Sequence, residues 1–233
     1  MRPGYRLPMV TESAQAAPLL IFDLDGTLYR TASSFVRTMR LVYEKHGVAH
    51  PGDAAILAMV GETFETFLDW LLSQGFRTVR SLLRQEIGRV EMEEICRHGE
   101  LYDGVPETLR ELARRGCILT LCTNGDRRYV DAVLARGGIA GAFSRLSTLE
   151  PGGGSKAERV GSIACAHAGR LPIVVGDRYH DLEAARANGC RMVGASYGYA
   201  RDGELAAADA CIRSFAELPD VVARLAAERR ASP

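Results

Sequence analysis

Residues 19–28 read Leu19-Leu20-Ile21-Phe22-Asp23-Leu24-Asp25-Gly26-Thr27-Leu28. The four apolar residues predict a short strand buried on both faces, as in a parallel sheet. The run ends abruptly at Asp23 and Asp25. Two carboxylates two residues apart repel one another, and a protein tolerates the pair where a cation or a proton sits between them. Gly26 lets the chain turn sharply off the strand. Either carboxylate can serve as metal ligand, nucleophile or proton donor, whereas a bare Asp-Gly makes only a turn.

Comparable apolar runs lie at 117–122, 173–175, 192–195 and around 211–212, with a weaker one at 144–147. Helical patterns separate them at 129–136, 156–168 and 180–188, the last stopping at Gly189. This alternation predicts an α/β fold, a Rossmann-like parallel sheet with helices on both faces. One connection breaks the rhythm. Roughly 75 residues separate the first strand from a helix at 105–115, where a plain crossover needs about a dozen. Within them Phe35, Met39 and Val42 repeat at helical spacing, as do Phe64, Phe67, Leu68, Leu71 and Leu72, and then Val79, Leu82, Leu83 and Val90. These stripes predict a helical cap domain over 30–100, inserted into a core of 19–29 and 101–233. A further amphipathic helix is expected at 215–225. Residues 1–18, with Pro3, Gly4, Pro8 and Pro18 among polar residues, predict a flexible tail.

The 233 residues carry a formal net charge of zero, which gives no electrostatic footprint for nucleic acid or an acidic membrane. No apolar stretch is long enough to span a bilayer, and the first residues lack the apolar core of a signal peptide. A cytoplasmic protein is expected, as monomer or homodimer. The six cysteines form no CxxC pair and no zinc-finger spacing, so reduced structural thiols are expected. Lys45 and Lys156 are the only lysines.

Three more stretches carry chemistry, each at or just past a predicted strand end, where open parallel sheets place ligands. Thr123-Asn124-Gly125 offers a hydroxyl and an amide that can donate to phosphate oxygens, or can cap a helix. Lys156 opens a predicted helix after Gly152-Gly153-Gly154-Ser155, where a cation opposes the helix dipole unless a bound anion or carboxylate offsets it. Gly176-Asp177-Arg178-Tyr179-His180-Asp181 places two aspartates four apart, a pattern suited to a hard cation such as Mg²⁺. One of that pair can instead cap the following helix or hold Lys156.

In this order and spacing, the four elements resemble the signature motifs of haloacid-dehalogenase-like hydrolases. Further matches follow at Ala184-Ala185, Asn188-Gly189, Tyr197-Gly198-Tyr199, Glu204-Leu205 and Ser214-Phe215-x-Glu217-Leu218. They resemble the phosphoglycolate-phosphatase-like branch, which carries a helical cap after the first motif. The resemblance implies a phosphatase for a small-molecule phosphate ester: phosphoglycolate-like, sugar phosphate or nucleotide. Asp23 would be the nucleophile, forming an aspartyl-phosphate. Asp25 would protonate the leaving oxygen and then activate water. Thr123 and the backbone beside Asn124 would hold the phosphoryl oxygens, and Lys156 would neutralise charge. Mg²⁺ would lie between Asp23, the Asp25 carbonyl and Asp177, with Asp181 close by.

Two departures concern the substrate: Tyr29-Arg30-Thr31 replaces the usual acidic residue after the first motif, and Pro-Gly-Gly-Gly precedes Lys156. A dehalogenase would not need Asp25. A phosphomutase would keep every motif and differ in the cap. A phosphonate-cleaving relative would need a cap lysine, and Lys45 reads instead as a polar helix end. A receiver-like phospho-acceptor module would lack the insert. Gly61-Glu62-Thr63 is the expected loop from cap to site. Arg77, Arg80 and Arg84 read as a solvated face; Arg127 and Arg128 read as surface or as contacts to a second anion. His98 and His167 are given no role.

Overall fold

The computed structural model describes residues 17–150 and 152–231. Residues 1–16 of the expected tail, and Pro151, lie outside the described residues. Ala17 and Pro18 are tied down rather than free. Arg170 donates to the Ala17 carbonyl at 2.6 Å, and Ile118 N donates to the Pro18 carbonyl at 3.1 Å.

The chain opens with β1 (Leu19–Phe22) and then four helices: α1 (Ala32–His46), α2 (Asp53–Leu57), α3 (Phe64–Ser73) and α4 (Arg80–His98). Strand and helix then alternate: α5 (Val105–Arg114), β2 (Ile118–Cys122), α6 (Arg127–Arg136), β3 (Arg145–Ser147), α7 (Lys156–Ala166), β4 (Pro172–Gly176), α8 (Tyr179–Ala187), β5 (Arg191–Ala195), β6 (Ala210–Ile212) and α9 (Leu218–Ala231). A turn of 3₁₀ helix, Phe215–Glu217, precedes α9.

All strands are parallel, in the order β3-β2-β1-β4-β5-β6. Alternation along β1 sends Leu20 and Phe22 to one face, among Leu109 of α5, Val133 of α6 and Val222 of α9. Leu19 and Ile21 face Val160 and Ile163 of α7 and Leu182 of α8. Burial on both faces is why the strands read as continuous apolar runs. Register then places the chemistry. Phe22 pairs with Leu121 on one side and Val175 on the other, so Asp23, Thr123 and Asp177 leave the same sheet edge. The strand order reverses around β1, opening the crevice where such sheets take ligands.

Helices α1 to α4 enclose an apolar core of their own, built from Phe35, Met39, Phe67, Leu71, Leu83 and Ile87. The expected third stripe is shifted. Val79 and Leu82 are 62% and 56% exposed; Val79 is only the N-cap of α4, and the buried seam runs through Leu83, Ile87, Val90 and Ile95. Farther along α4, Met92 and Ile95 pack with Tyr129 and Val133 of α6. One helix therefore belongs to both cores. The chain enters and leaves this helical segment side by side. Tyr29 and Leu101 form an antiparallel bridge, flanked by Arg30 N to Glu100 O and Tyr102 N to Leu28 O, each 3.0 Å.

Candidate active site

Asp23 follows β1 and is 4% exposed. Its Oδ1 accepts from Lys156 Nζ at 2.6 Å, and the same ammonium lies 2.7 Å from Asp181 Oδ1. Lys156 stands at the first position of α7, behind an N-cap Ser155 that makes a capping box with Glu158. The carboxylates of Asp23 and Asp181 are thus the anions that offset a cation at a helix N-terminus. Burial opposes the Lys156 charge, but Asp181 and Asp23 outweigh it and hold the ammonium well above its usual range. For Asp23 the balance goes the other way. Burial outweighs Lys156, and with Asp181 and Asp25 nearby the carboxyl is pushed up to about 7.

Asp177 leaves β4 on the adjacent strand. Its Oδ2 accepts from Tyr199 N at 2.6 Å, while its Oδ1 is buried with no hydrogen-bond partner among the described residues. Burial, then the charges of Asp23 and Asp181, hold Asp177 well above the ordinary carboxylate range. Asp181 performs both duties open to it. Oδ2 accepts from Arg178 N at 3.1 Å in the α8 cap, and Oδ1 faces Lys156. One oxygen each from Asp23, Asp177 and Asp181 lies within 4.8 Å of the others. Gly26 makes this approach possible. At φ 74° it turns the chain, and a Cβ there would stand 2.0 Å from Asp177 Oδ2. The Asp25 carboxylate is not part of the cluster.

Asp25 is held from one side. Thr31 Oγ1 donates to its Oδ1 at 2.7 Å, and Tyr129 OH donates to the same oxygen at 2.5 Å. Oδ2 takes no protein donor among the described residues, and Asp25 lines the cavity. Burial raises its pKa against the opposing pull of these two hydrogen bonds and Lys156. A carboxyl poised to carry a proton on a free oxygen is what general acid–base work needs.

Thr123 is buried, and its Oγ1 accepts from Gly125 N at 3.1 Å, leaving the hydroxyl hydrogen to donate elsewhere. The helix cap at this strand end is Asp126, whose Oδ1 accepts from Tyr129 N at 2.9 Å. The Asn124 side chain, expected near substrate, is engaged elsewhere. Its Nδ2 donates to the Gly61 carbonyl at 3.2 Å, and its Oδ1 accepts from Arg159 at 2.7 Å. The Asn124 backbone N–H has no acceptor among the described residues.

Asp23, Asp25, Thr123 and Asn124 line a cavity of about 940 Å³ between the sheet edge and the helical insert. Lys156, Asp177 and Asp181 are not part of its lining and contact it through Asp23. Gly61, Glu62 and Thr63 line it from above. This loop is pinned to the sheet side: buried Arg178 donates to the Val60 carbonyl and to Glu204 Oε2, the latter at 3.0 Å, and Glu62 faces His180 Nε2 at 3.3 Å. Arg84 is tied to Glu65, and Arg127 lies 2.8 Å from Asp131. Lys45 ends α1 and pairs with Glu86 at 2.6 Å.

The sequence-predicted residues thus meet at one edge, with fold and spacing of a known kind. The haloacid dehalogenase-like hydrolase family model matches residues 20–195, three-quarters of the chain. The chain belongs to this hydrolase family. A phosphoglycolate phosphatase from Haemophilus influenzae (strain 86-028NP) is similar, 29% identical over 201 residues that span 78% of this chain and 86% of the relative. Among solved structures, a predicted phosphoglycolate phosphatase from Haemophilus somnus 129pt superposes with a TM-score of 0.79 at 23% identity, covering 90% of this chain and 99% of that one. A haloacid dehalogenase-like family hydrolase from Streptococcus pneumoniae gives 0.77 at 20% identity, with coverages of 88% and 98%.

In this hydrolase several residues at the site escaped sequence reasoning. Thr31 and Tyr129 hold Asp25, yet each looks like an ordinary helix residue. Tyr199 stood out only within a Tyr-Gly-Tyr match. Its N–H fixes Asp177, and its hydroxyl accepts from Ala32 N at 2.8 Å, where α1 begins. Glu91 of α4 lines the cavity and carried no signal at all.

Proposed function

We propose that this hydrolase is a Mg²⁺-dependent phosphatase that cleaves a small-molecule phosphate monoester through an aspartyl-phosphate on Asp23. The observation that carries the reading is the division of labour on Asp23 and Asp25. On each, one oxygen is bound by protein donors and the other is left to the cavity. An oxygen of Asp23 attacks phosphorus, and the ester P–O bond breaks. The departing alkoxide takes its proton from Asp25. Water then attacks the phosphoryl group, Asp25 accepts a proton from it, and orthophosphate leaves with Asp23 regenerated. Thr123 Oγ1 and the Asn124 N–H donate to the phosphoryl oxygens. Lys156 offsets their charge through the sheet-edge cluster.

The residues fit a divalent cation. Asp177 Oδ1 is a buried oxygen without a partner, which is costly unless something binds it. Three carboxylates and one ammonium leave two uncompensated negative charges in a buried site, the charge one Mg²⁺ would balance. All donors are hard oxygens. Asp23, Asp177, Asp181 and the Asp25 carbonyl would hold the ion, which supplies charge neutralisation between anionic nucleophile and anionic phosphate.

The test is hydrolysis of p-nitrophenyl phosphate with MgCl₂ by wild type and Asp23→Asn. Loss of roughly a thousandfold or more in kcat is expected for a nucleophile acting in concert with its neighbours. Equal rates in the two proteins would overturn the assignment. The name of the similar Haemophilus influenzae enzyme puts phosphoglycolate among the candidate substrates, beside sugar phosphates and nucleotides.

A further inference from the structure

Beyond the phosphoryl end, the cavity has a character of its own. At about 940 Å³ it is at the upper end of the range for pockets that enclose sizeable ligands, and a two-carbon acid would fill little of it. Phe35, Phe64, Phe67 and Met92 give it an apolar wall. Glu91 on α4 adds a carboxylate that makes no hydrogen bond or ion pair among the described residues. Asp25 from the β1 loop and Asp126 from the start of α6 act on it electrostatically, and it acts in turn on Tyr29 and Tyr129.

The cations of the lining are committed or peripheral. Arg84 is paired with Glu65, Arg127 with Asp131, and Arg128 is exposed in the first turn of α6. Behind the lining, Lys156 is shared by Asp23 and Asp181. A carboxylate on the leaving group would therefore meet the carboxyls of Glu91, Asp25 and Asp126, with exposed Arg128 the one lining cation without a partner among the described residues. A group that donates hydrogen bonds would suit those carboxyls.

We infer that Glu91 is the cap residue that reads the leaving group, and that this enzyme prefers esters whose leaving group bears hydroxyl or ammonium donors over the carboxylate-bearing phosphoglycolate. The inference rests on the phosphatase reading above. Glu91 lines the cavity with no donor among the described residues, and burial, with Asp25 and Asp126 adding to it, raises its pKa to about 8, so that a donor brought by the substrate would favour its ionised form. A substrate hydroxyl or ammonium supplies the missing donor. The apolar wall packs on the carbon face of a sugar or amino-alcohol.

The experiment compares kcat/KM for phosphoglycolate, glucose 6-phosphate, phosphoethanolamine and p-nitrophenyl phosphate, with MgCl₂ throughout. Wild type should favour a hydroxyl- or amino-bearing ester over phosphoglycolate by at least about tenfold, the scale of one hydrogen bond to a charged group. In Glu91→Gln that ratio should fall by about the same factor, and Glu91→Arg should invert it. Phosphoglycolate as the best wild-type substrate would overturn the inference, as would an unchanged ratio in both variants. The wild-type ranking stands even if a variant fails to fold. Hydrolysis of p-nitrophenyl phosphate separates the two levels: its absence in wild type overturns the phosphatase reading, and its presence with a phosphoglycolate preference overturns only the role of Glu91.

Discussion

Two donors meet Asp25 at the same oxygen, and one of them, Tyr129, comes from a helix remote in sequence. Removing that hydroxyl in Tyr129→Phe leaves a single donor from Thr31 and lets the carboxyl turn. We expect kcat to drop about tenfold, in line with the loss of one well-placed hydrogen bond to a charged group, with smaller change in KM. Steady-state kinetics with MgCl₂ measures it. Glu91 yields a prediction on stability. Its folded-state pKa, about 8, lies above the 4.5 of an unfolded chain. The native state therefore binds the proton more tightly, and ionisation costs stability as pH rises. Relative to Glu91→Gln, wild type should be unaffected below pH 4.5, lose ground between there and about 8, and stay constantly lower above. Urea unfolding across that range tests it; a difference independent of pH would be inconsistent with a raised Glu91.

The loop between α2 and α3 hangs on Arg178, a fully buried guanidinium that spans Glu204 and the Val60 carbonyl. Arg178→Met fills similar volume but leaves the Val60 carbonyl without its donor and Glu204 with only Arg201, 3.9 Å away. Breaking a buried pair from one side costs about 3–5 kcal/mol. A fall in melting temperature of roughly 6 °C or more should follow, at about 2–4 °C per kcal/mol for a chain of this size, and KM should rise because Gly61 and Glu62 lose their seat. The elements themselves were largely legible. Strands buried on both faces write themselves as apolar runs, and Lys156 at a helix start announced its carboxylates. Helix α4 was misphased because its first apolar residues, Val79 and Leu82, stand in solvent, and a mixed-charge helix gives periodicity little purchase. The partners of the Asn124 side chain were not legible because nothing local shows that its amide faces a loop over sixty residues away. Tyr129 was invisible for the same reason, its partner Asp25 lying 104 residues away, and Glu91 because its place at the cavity follows from the packing of α4 on α6.

Across the molecule, the site concentrates negative charge that the fold alone does not balance. A cation binding only the native state stabilises it by about 2.7 kcal/mol at a hundredfold excess over its dissociation constant, which for a chain of this length raises the melting temperature by roughly 5–10 °C. Differential scanning fluorimetry with EDTA and then MgCl₂ should show that rise, and Asp177→Asn should shrink it. An identical curve in both buffers would contradict a native divalent site at Asp23, Asp177 and Asp181.

The bridge between Tyr29 and Leu101 sets two distant points of the chain side by side, at about 5 Å for an antiparallel pair. To the sheet, everything between them is a long hairpin loop. Loop closure depends only weakly on length, so pairing the strands costs nearly the same entropy whatever the length of that loop. What its helices add is contact: Met92 and Ile95 of α4 pack against α6 and the Val60 carbonyl holds Arg178, so any module spliced between the same two residues would have to supply those contacts anew. The strands and the wall that covers their edge can then be varied separately at this neck, provided those few contacts are kept.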